Sequence, residues 1–176
     1  MVVAPRAVAQ HGDLRLGLVR RGEVAVLAAE EATRSYIQDV LRPKMFQVMG
    51  RDAFVLEAMS TSYVSHAVME RLKDSLPEYQ IRRVALNARN PASDPNAQEV
   101  KLINYFAAHP QQDSWQGIIR IAGHSSFVHA RPVYFTPDCM HCHGNPADAP
   151  AAILKLYGPT RGFGHKAGDI AGVTAV

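Results

Sequence analysis

Both cysteines of the chain fall within residues 137–150, PDCMHCHGNPADAP, in the order Cys139-Met140-His141-Cys142-His143. This is a C-x-x-C-H pattern. Two thiols about one turn apart can each form a thioether to a porphyrin vinyl group, and the histidine that follows can turn under the ring towards the iron. Three other chemistries compete for the same residues. Zinc would take Cys139, Cys142 and one of His141 or His143, with His165 or His124 as a fourth ligand. Zinc sites usually draw their second pair of ligands from a separate knuckle, and the sequence has no third cysteine. A thioredoxin-like redox pair would sit at the start of a helix, which the following Gly144-Asn145-Pro146 opposes. A structural disulfide across two intervening residues is strained. The spacing therefore favours one covalent haem c through Cys139 and Cys142, with His143 on the iron and His141 as a solvent-facing spacer.

Further residues could serve such a group. Arg89, in the stretch ARNP, and Arg131, just before the cysteine segment, are candidate partners for the propionates, because guanidinium pairs bidentately with carboxylate. Tyr134 and Phe135 are expected to pack on the haem or on the sheet. His66, His124 and His129 are candidates for the other face of the iron. Haem attached in this way is installed outside the cytoplasmic membrane in bacteria, so the motif predicts a periplasmic chain. The opening MVVAPRAVAQ is no working signal peptide, its apolar run being broken by Pro5 and Arg6. That opening, and the closing GDIAGVTAV, predict a piece of a longer, membrane-anchored protein.

The elements that must position these residues fit one domain of 176 residues, large enough to bury roughly 70% of its unfolded surface. The net charge is +3, and the nearest thing to a basic concentration is Arg15, Arg20 and Arg21. No basic stripe interleaved with aromatics is present, which argues against nucleic acid. No run approaches the ~20 apolar residues of a membrane span.

Residues 14–41 have helical periodicity, with Val26, Leu27, Tyr36, Ile37, Val40 and Leu41 on one face and Pro43 as the expected end. Such a long helix suggests packing against a second copy or a lead towards a membrane. Gly12, Gly17 and Gly22 should weaken its first half. A second helix is expected over MSTSYVSHAVMERLKDSL, capped by Ser60 or Ser62, with Tyr63, Val64, Ala67 and Val68 as its apolar stripe and Pro77 beyond it. YQIRRVALNA reads as a strand and AQEVKLINYFAAH as a short helix. WQGIIRIAG and SSFVHARPVYF read as a hairpin, and IAGVTAV as a last strand. Helices followed by strands around one inserted helix predict an α+β fold with an antiparallel sheet.

RVALNARNPASDPNAQE, YFAAHP, ARPVYFTPDCMHCHGNP and GHKAGDIAGV, in that order, resemble the periplasmic c-type haem, PAS-like sensor domains of bacterial chemotaxis transducers, sensor kinases and cyclase receptors. The resemblance covers residues 42–176, which divides the chain into an N-terminal helix (1–41) and a PAS-like haem domain (42–176). It implies a PAS-like antiparallel sheet flanked by helices, a homodimer, and a response to redox state or to a small haem ligand, with no enzymatic activity. It further implies Met59, at the head of the second helix, as the second axial ligand. His66 would share a helix face with Met59 and Tyr63 and is the runner-up. The competing functional readings are a standalone monohaem electron carrier, whose partner would be a redox protein, and a zinc-stabilised binding module.

Overall fold

The computed structural model describes residues 7–121 and 123–176, with side chains from residue 21 onwards except those of residues 121 and 124. The chain opens on helix α1 (Ala7–Tyr36), passes through a π turn (Ile37–Leu41) and continues as α2 (Arg42–Met49). The helix therefore does not stop at Pro43, as expected, but runs six residues past it, to Met49. The π turn explains why. The Arg42 amide bonds back to Ile37 O, five residues earlier, which resets the hydrogen-bond ladder. Pro43 then falls in the first turn of a new helical segment, where its missing N–H leaves nothing unsatisfied.

Of the apolar face expected on this helix, Val26, Leu27 and Ile37 are buried, whereas Tyr36 and Val40 lie more than half exposed. Val26 and Leu27 pack with Val176 and with Leu72, Leu76, Tyr79 and Ile81. Gly22 belongs to this contact, because a Cβ there would come within 1.8 Å of the Tyr79 hydroxyl. What looked like a weak point in the helix is a point of close approach.

After α3 (Leu56–Met59), the helix α4 (Thr61–Leu72) begins at Ser60, whose hydroxyl accepts the Tyr63 amide at 3.2 Å. The buried face of α4 is not the expected stripe. Tyr63 and Val68 are exposed, and Ser65 and Met69 are buried instead. The reason is what α4 faces: the Ser65 hydroxyl donates at 2.8 Å to Glu30 of α1, a carboxylate that also receives Arg83 at 3.3 Å. A polar side chain wins the inward position because its partner is a buried anion.

Four strands follow: β1 (Arg82–Val84), β2 (Trp115–Ile121), β3 (His124–Tyr134) and β4 (Ile170–Ala175). They form one antiparallel sheet in the order β1-β4-β3-β2. Gly123, at φ +86°, supplies the left-handed residue in the β2–β3 turn. The short helix α5 (Ala97–Ala108) starts at a reciprocal cap, in which Asn96 accepts the Gln98 and Glu99 amides and Glu99 accepts the Asn96 amide. It lays Leu102, Ile103 and Phe106 on the sheet against Val84, Val128, Ala130 and Val173. Each such side chain contributes roughly 1.5–3 kcal/mol by leaving water. β1 and β4 pack tightly, since a Cβ on Gly172 would lie 2.0 Å from Val84 O. The architecture is α+β, a PAS-like antiparallel sheet flanked by helices with a long helix at the N-terminus. Among the described residues, no helix is long and apolar enough to cross a membrane.

Candidate haem-binding site

A bulge between Val133 and Tyr134 ends the regular pairing of β3 with β4 and delivers the chain to the cysteine segment. There Thr136 is extended, Pro137–Cys139 forms one 3-10 turn, and Met140–His143 forms a one-turn helix, α6. The Thr136 amide and hydroxyl approach Cys139 Sγ at 3.4 and 3.2 Å. Gly144 closes the turn by donating to Met140 O at 2.8 Å, and a Cβ at this position would meet the same oxygen at 2.7 Å. Both cysteines are free thiols. Burial pushes the Cys142 thiol above its usual range.

His143 has a defined tautomer. Its Nδ1 lies 2.8 Å from Gly162 O, a carbonyl that can only accept, so Nδ1 carries the proton and Nε2 keeps its lone pair. Burial, reinforced by the nearby positive charge of Arg89, pushes its pKa down to about 3. The ring is therefore neutral. Phe135 packs against it at 5.1 Å and stacks on His165 at 4.4 Å. Backbone bonds from His165 to His143 O (3.1 Å) and from Gly164 to Gly144 O (2.9 Å) tie the glycine-rich loop to α6.

Met59, Cys139, Cys142 and His143 line one cavity of about 420 Å³, bounded by the long helix, α4, the 85–93 segment and the end of β3. This volume is in the range of small-molecule and cofactor sites. Met59 is almost fully buried, and its Sδ accepts the Val55 amide at 3.3 Å. It stands at the end of α3, just before the Ser60 cap, rather than within the second helix.

The remaining candidates divide. Tyr134 lines the cavity, and its hydroxyl is buried with no hydrogen-bond partner. Arg89 also lines it, but its Nη2 donates to Cys142 O and to Gly162 O, while its guanidinium stacks over Phe163 at 4.6 Å. It grips the backbone of the cysteine segment. Arg131 is not brought to the cavity: it pairs with Glu31 of α1 at 3.0 Å, because its strand position points it towards the long helix. His66 is on the rim, its side chain 72% exposed and 3.9 Å from Glu70, and it does not share a helix with Met59. His129 is buried in β3 beside Gln116 and is absent from the cavity wall. The side chain of His124 lies outside the described residues. His141 does not line the cavity; half-buried, it sets its Nε2 3.0 Å from Arg51 O and its ring edge-on to Phe46 of α2.

Sequence reasoning missed Arg34, Arg42 and Arg83, which line the same cavity. On helices and edge strands they read as surface charge, and no local signal marks them. A porphyrin carrying two carboxylates fits this set of donors: two thiols, an imidazole with a free Nε2, a thioether and several guanidinium groups. The buried, unpartnered Arg34 Nε, Arg89 Nε and Tyr134 hydroxyl belong to lining residues. Among the described residues, no three histidine, cysteine or carboxylate side chains converge as a metal-ion cluster.

The chain is similar in fold to the cyanobacterial heme-protein Tll0287, whose crystal structure it matches with a TM-score of 0.69 and 22% sequence identity, over 92% of each chain. None of the curated proteins matches it. Residues 18–176, from the long helix to the last strand, match the Tll0287-like family, and the chain belongs to that family.

Proposed function

We propose that this chain is a haem-binding sensory domain and not an enzyme, with one haem c held by thioethers to Cys139 and Cys142 and by His143 on the iron. The observation that carries the reading is His143. Its Nδ1–H is committed to Gly162 O, and its Nε2 is left free in a cavity that both cysteines line. Histidines that bind metal are ordinarily oriented in this way by a second hydrogen bond. That the structurally similar Tll0287 is a heme protein supports the same cofactor here.

Bound there, the haem would supply an iron that changes charge and takes axial ligands. The chain's own residues then have distinct duties. His143 is held neutral and oriented. Arg34 and Arg42 offer cations for the propionates, and the Tyr134 hydroxyl lines the same cavity, whereas Arg83 is already paired with Glu30. Met59 lines the same cavity with a soft thioether, and Arg42 Nε donates to its carbonyl at 2.9 Å. That bond supports the sensory reading, because it couples the Met59 backbone to the long helix. The proposed setting is the periplasmic part of a membrane-anchored, dimeric receptor that responds to redox state or to a small haem ligand.

The test is the protein matured in a periplasm competent for haem attachment. We expect a c-type pyridine haemochrome at one haem per chain, retained through acid-acetone extraction. Cys139→Ala with Cys142→Ala should release it to the solvent. A colourless protein with stoichiometric zinc would overturn the reading. For the sensory part, Met59→Ala should admit carbon monoxide to the ferrous protein faster, and unchanged binding removes Met59 from the mechanism.

A further inference from the structure

One carbonyl near the candidate site serves two donors. Gly162 O accepts His143 Nδ1–H at 2.8 Å and also Arg89 Nη2 at 3.2 Å. The same Arg89 nitrogen donates to Cys142 O, so it bridges the backbone of the cysteine segment and the loop that orients the imidazole. The guanidinium is fixed by its surroundings. It lies over the Phe163 ring at 4.6 Å and near the Tyr157 ring at 5.8 Å. Gly162, at φ +70°, holds a conformation that other residues rarely adopt, and a Cβ there would stand a tight 3.1 Å from the Arg89 Cβ. A charged residue is thus built into the second layer behind His143, touching neither the imidazole nor the free Nε2.

We propose that Arg89 is a positioning residue that sets the electron-donating strength of His143, by sharing its acceptor carbonyl and placing a permanent positive charge behind it. Two effects of Arg89 act with the same sign. A hydrogen bond from Nδ1–H to a carbonyl makes the imidazole a stronger donor through Nε2. A second, cationic donor on that carbonyl draws electron density from the oxygen and weakens this effect. The guanidinium charge, half-buried where water screens it less, also opposes a further positive charge nearby. Both favour the reduced over the oxidised form of a metal held by His143. The arginine was expected to meet a propionate, and this geometry assigns it a different duty.

The inference rests on the haem reading, and its test separates the two. In haem-loaded protein, Arg89→Gln removes the charge and one shared bond. The equilibrium between ferrous and ferric protein should move about tenfold towards ferric, which is about 59 mV lower in midpoint for a one-electron couple. The iron–imidazole stretch, read by resonance Raman after photolysis of the carbon monoxide adduct, should rise. A merely structural arginine would lower haem yield or melting temperature and leave both readouts unmoved in the haem-loaded fraction. If Arg89→Gln does not accumulate, Arg89→Lys serves: it keeps a cation but cannot reach two carbonyls with one planar fork, and a smaller shift in the same direction is expected. Wild-type protein without haem, or with haem not ligated by His143, defeats the haem reading itself. Haem ligated by His143 with an unchanged midpoint and stretch in the variant defeats this inference alone.

Discussion

Met59 and His143 face one cavity, yet only His143 announces itself in the sequence. A histidine directly after C-x-x-C points to haem attachment by its position alone, whereas a methionine is ordinarily packing. Met59 is nearly fully buried, so packing and ligation must be separated by experiment. Met59→Ala should destabilise the haem-free protein by about 2–5 kcal/mol through the lost contacts and the cavity left behind. Met59→Leu keeps the volume and should cost less than about 1.5 kcal/mol in the same urea titration. If Met59 binds iron, the two variants, so different in stability, will share an altered ferrous spectrum. A leucine variant with the wild-type spectrum confines Met59 to packing. The arginines show the limit of reading single residues. Arg89 was legible as a site residue from its loop, but its two carbonyl partners lie 53 and 73 positions away, beyond the reach of any local pattern.

Between elements, the decisive contacts are polar ones that periodicity does not register. Hydropathy placed α5 and the β2–β3 hairpin well, because they bury apolar faces at regular spacing, but the strand read over YQIRRVALNA forms only as Arg82–Val84 and the helix Ala151–Tyr157 was not expected. It failed on α4, where the apolar Tyr63 and Val68 look outward and Ser65 looks in, towards Glu30. It failed again at Pro43, because the π turn that rescues the helix depends on backbone geometry and not on residue type. The Glu30 carboxylate joins three elements: α1, which carries it, α4 through Ser65, and β1 through Arg83. Ser65→Ala removes a hydrogen bond to a buried anion and should cost about 1.5–3 kcal/mol. The check is chemical denaturation, and a loss below about half a kcal/mol would show that α4 docks on its apolar contacts alone. At the sheet, Asn96→Ala should cost about 0.5–2 kcal/mol by stripping the α5 amides of their acceptor.

The stability of the whole molecule is tied to acid through the imidazoles of His129, His143 and His165, whose pKa values are all lowered first by burial. His129 sits in β3 with its pKa lowered, first by burial and then by the Arg131 charge, with Asp113 opposing. Its unfolded value is about 6.5. Below that pH the unfolded chain binds the proton more readily than the native one, so stability rises with pH across this window and is lost on acidification. We expect the urea midpoint to fall between about pH 7.5 and about pH 5.5, and to fall less in His129→Gln. An equal fall in both proteins would place the acid sensitivity elsewhere.

The strand order carries a consequence for the timing of synthesis. β4, residues 170–175, is the strand that joins β1 to β3, yet in the chain it comes after Cys139 and Cys142. On a growing polypeptide, the two thiols emerge while the sheet still lacks the strand that pairs with both β1 and β3. Long-range pairing of this kind is slow. The order of residues along the chain thus puts the cysteine segment ahead of the strand that completes the sheet.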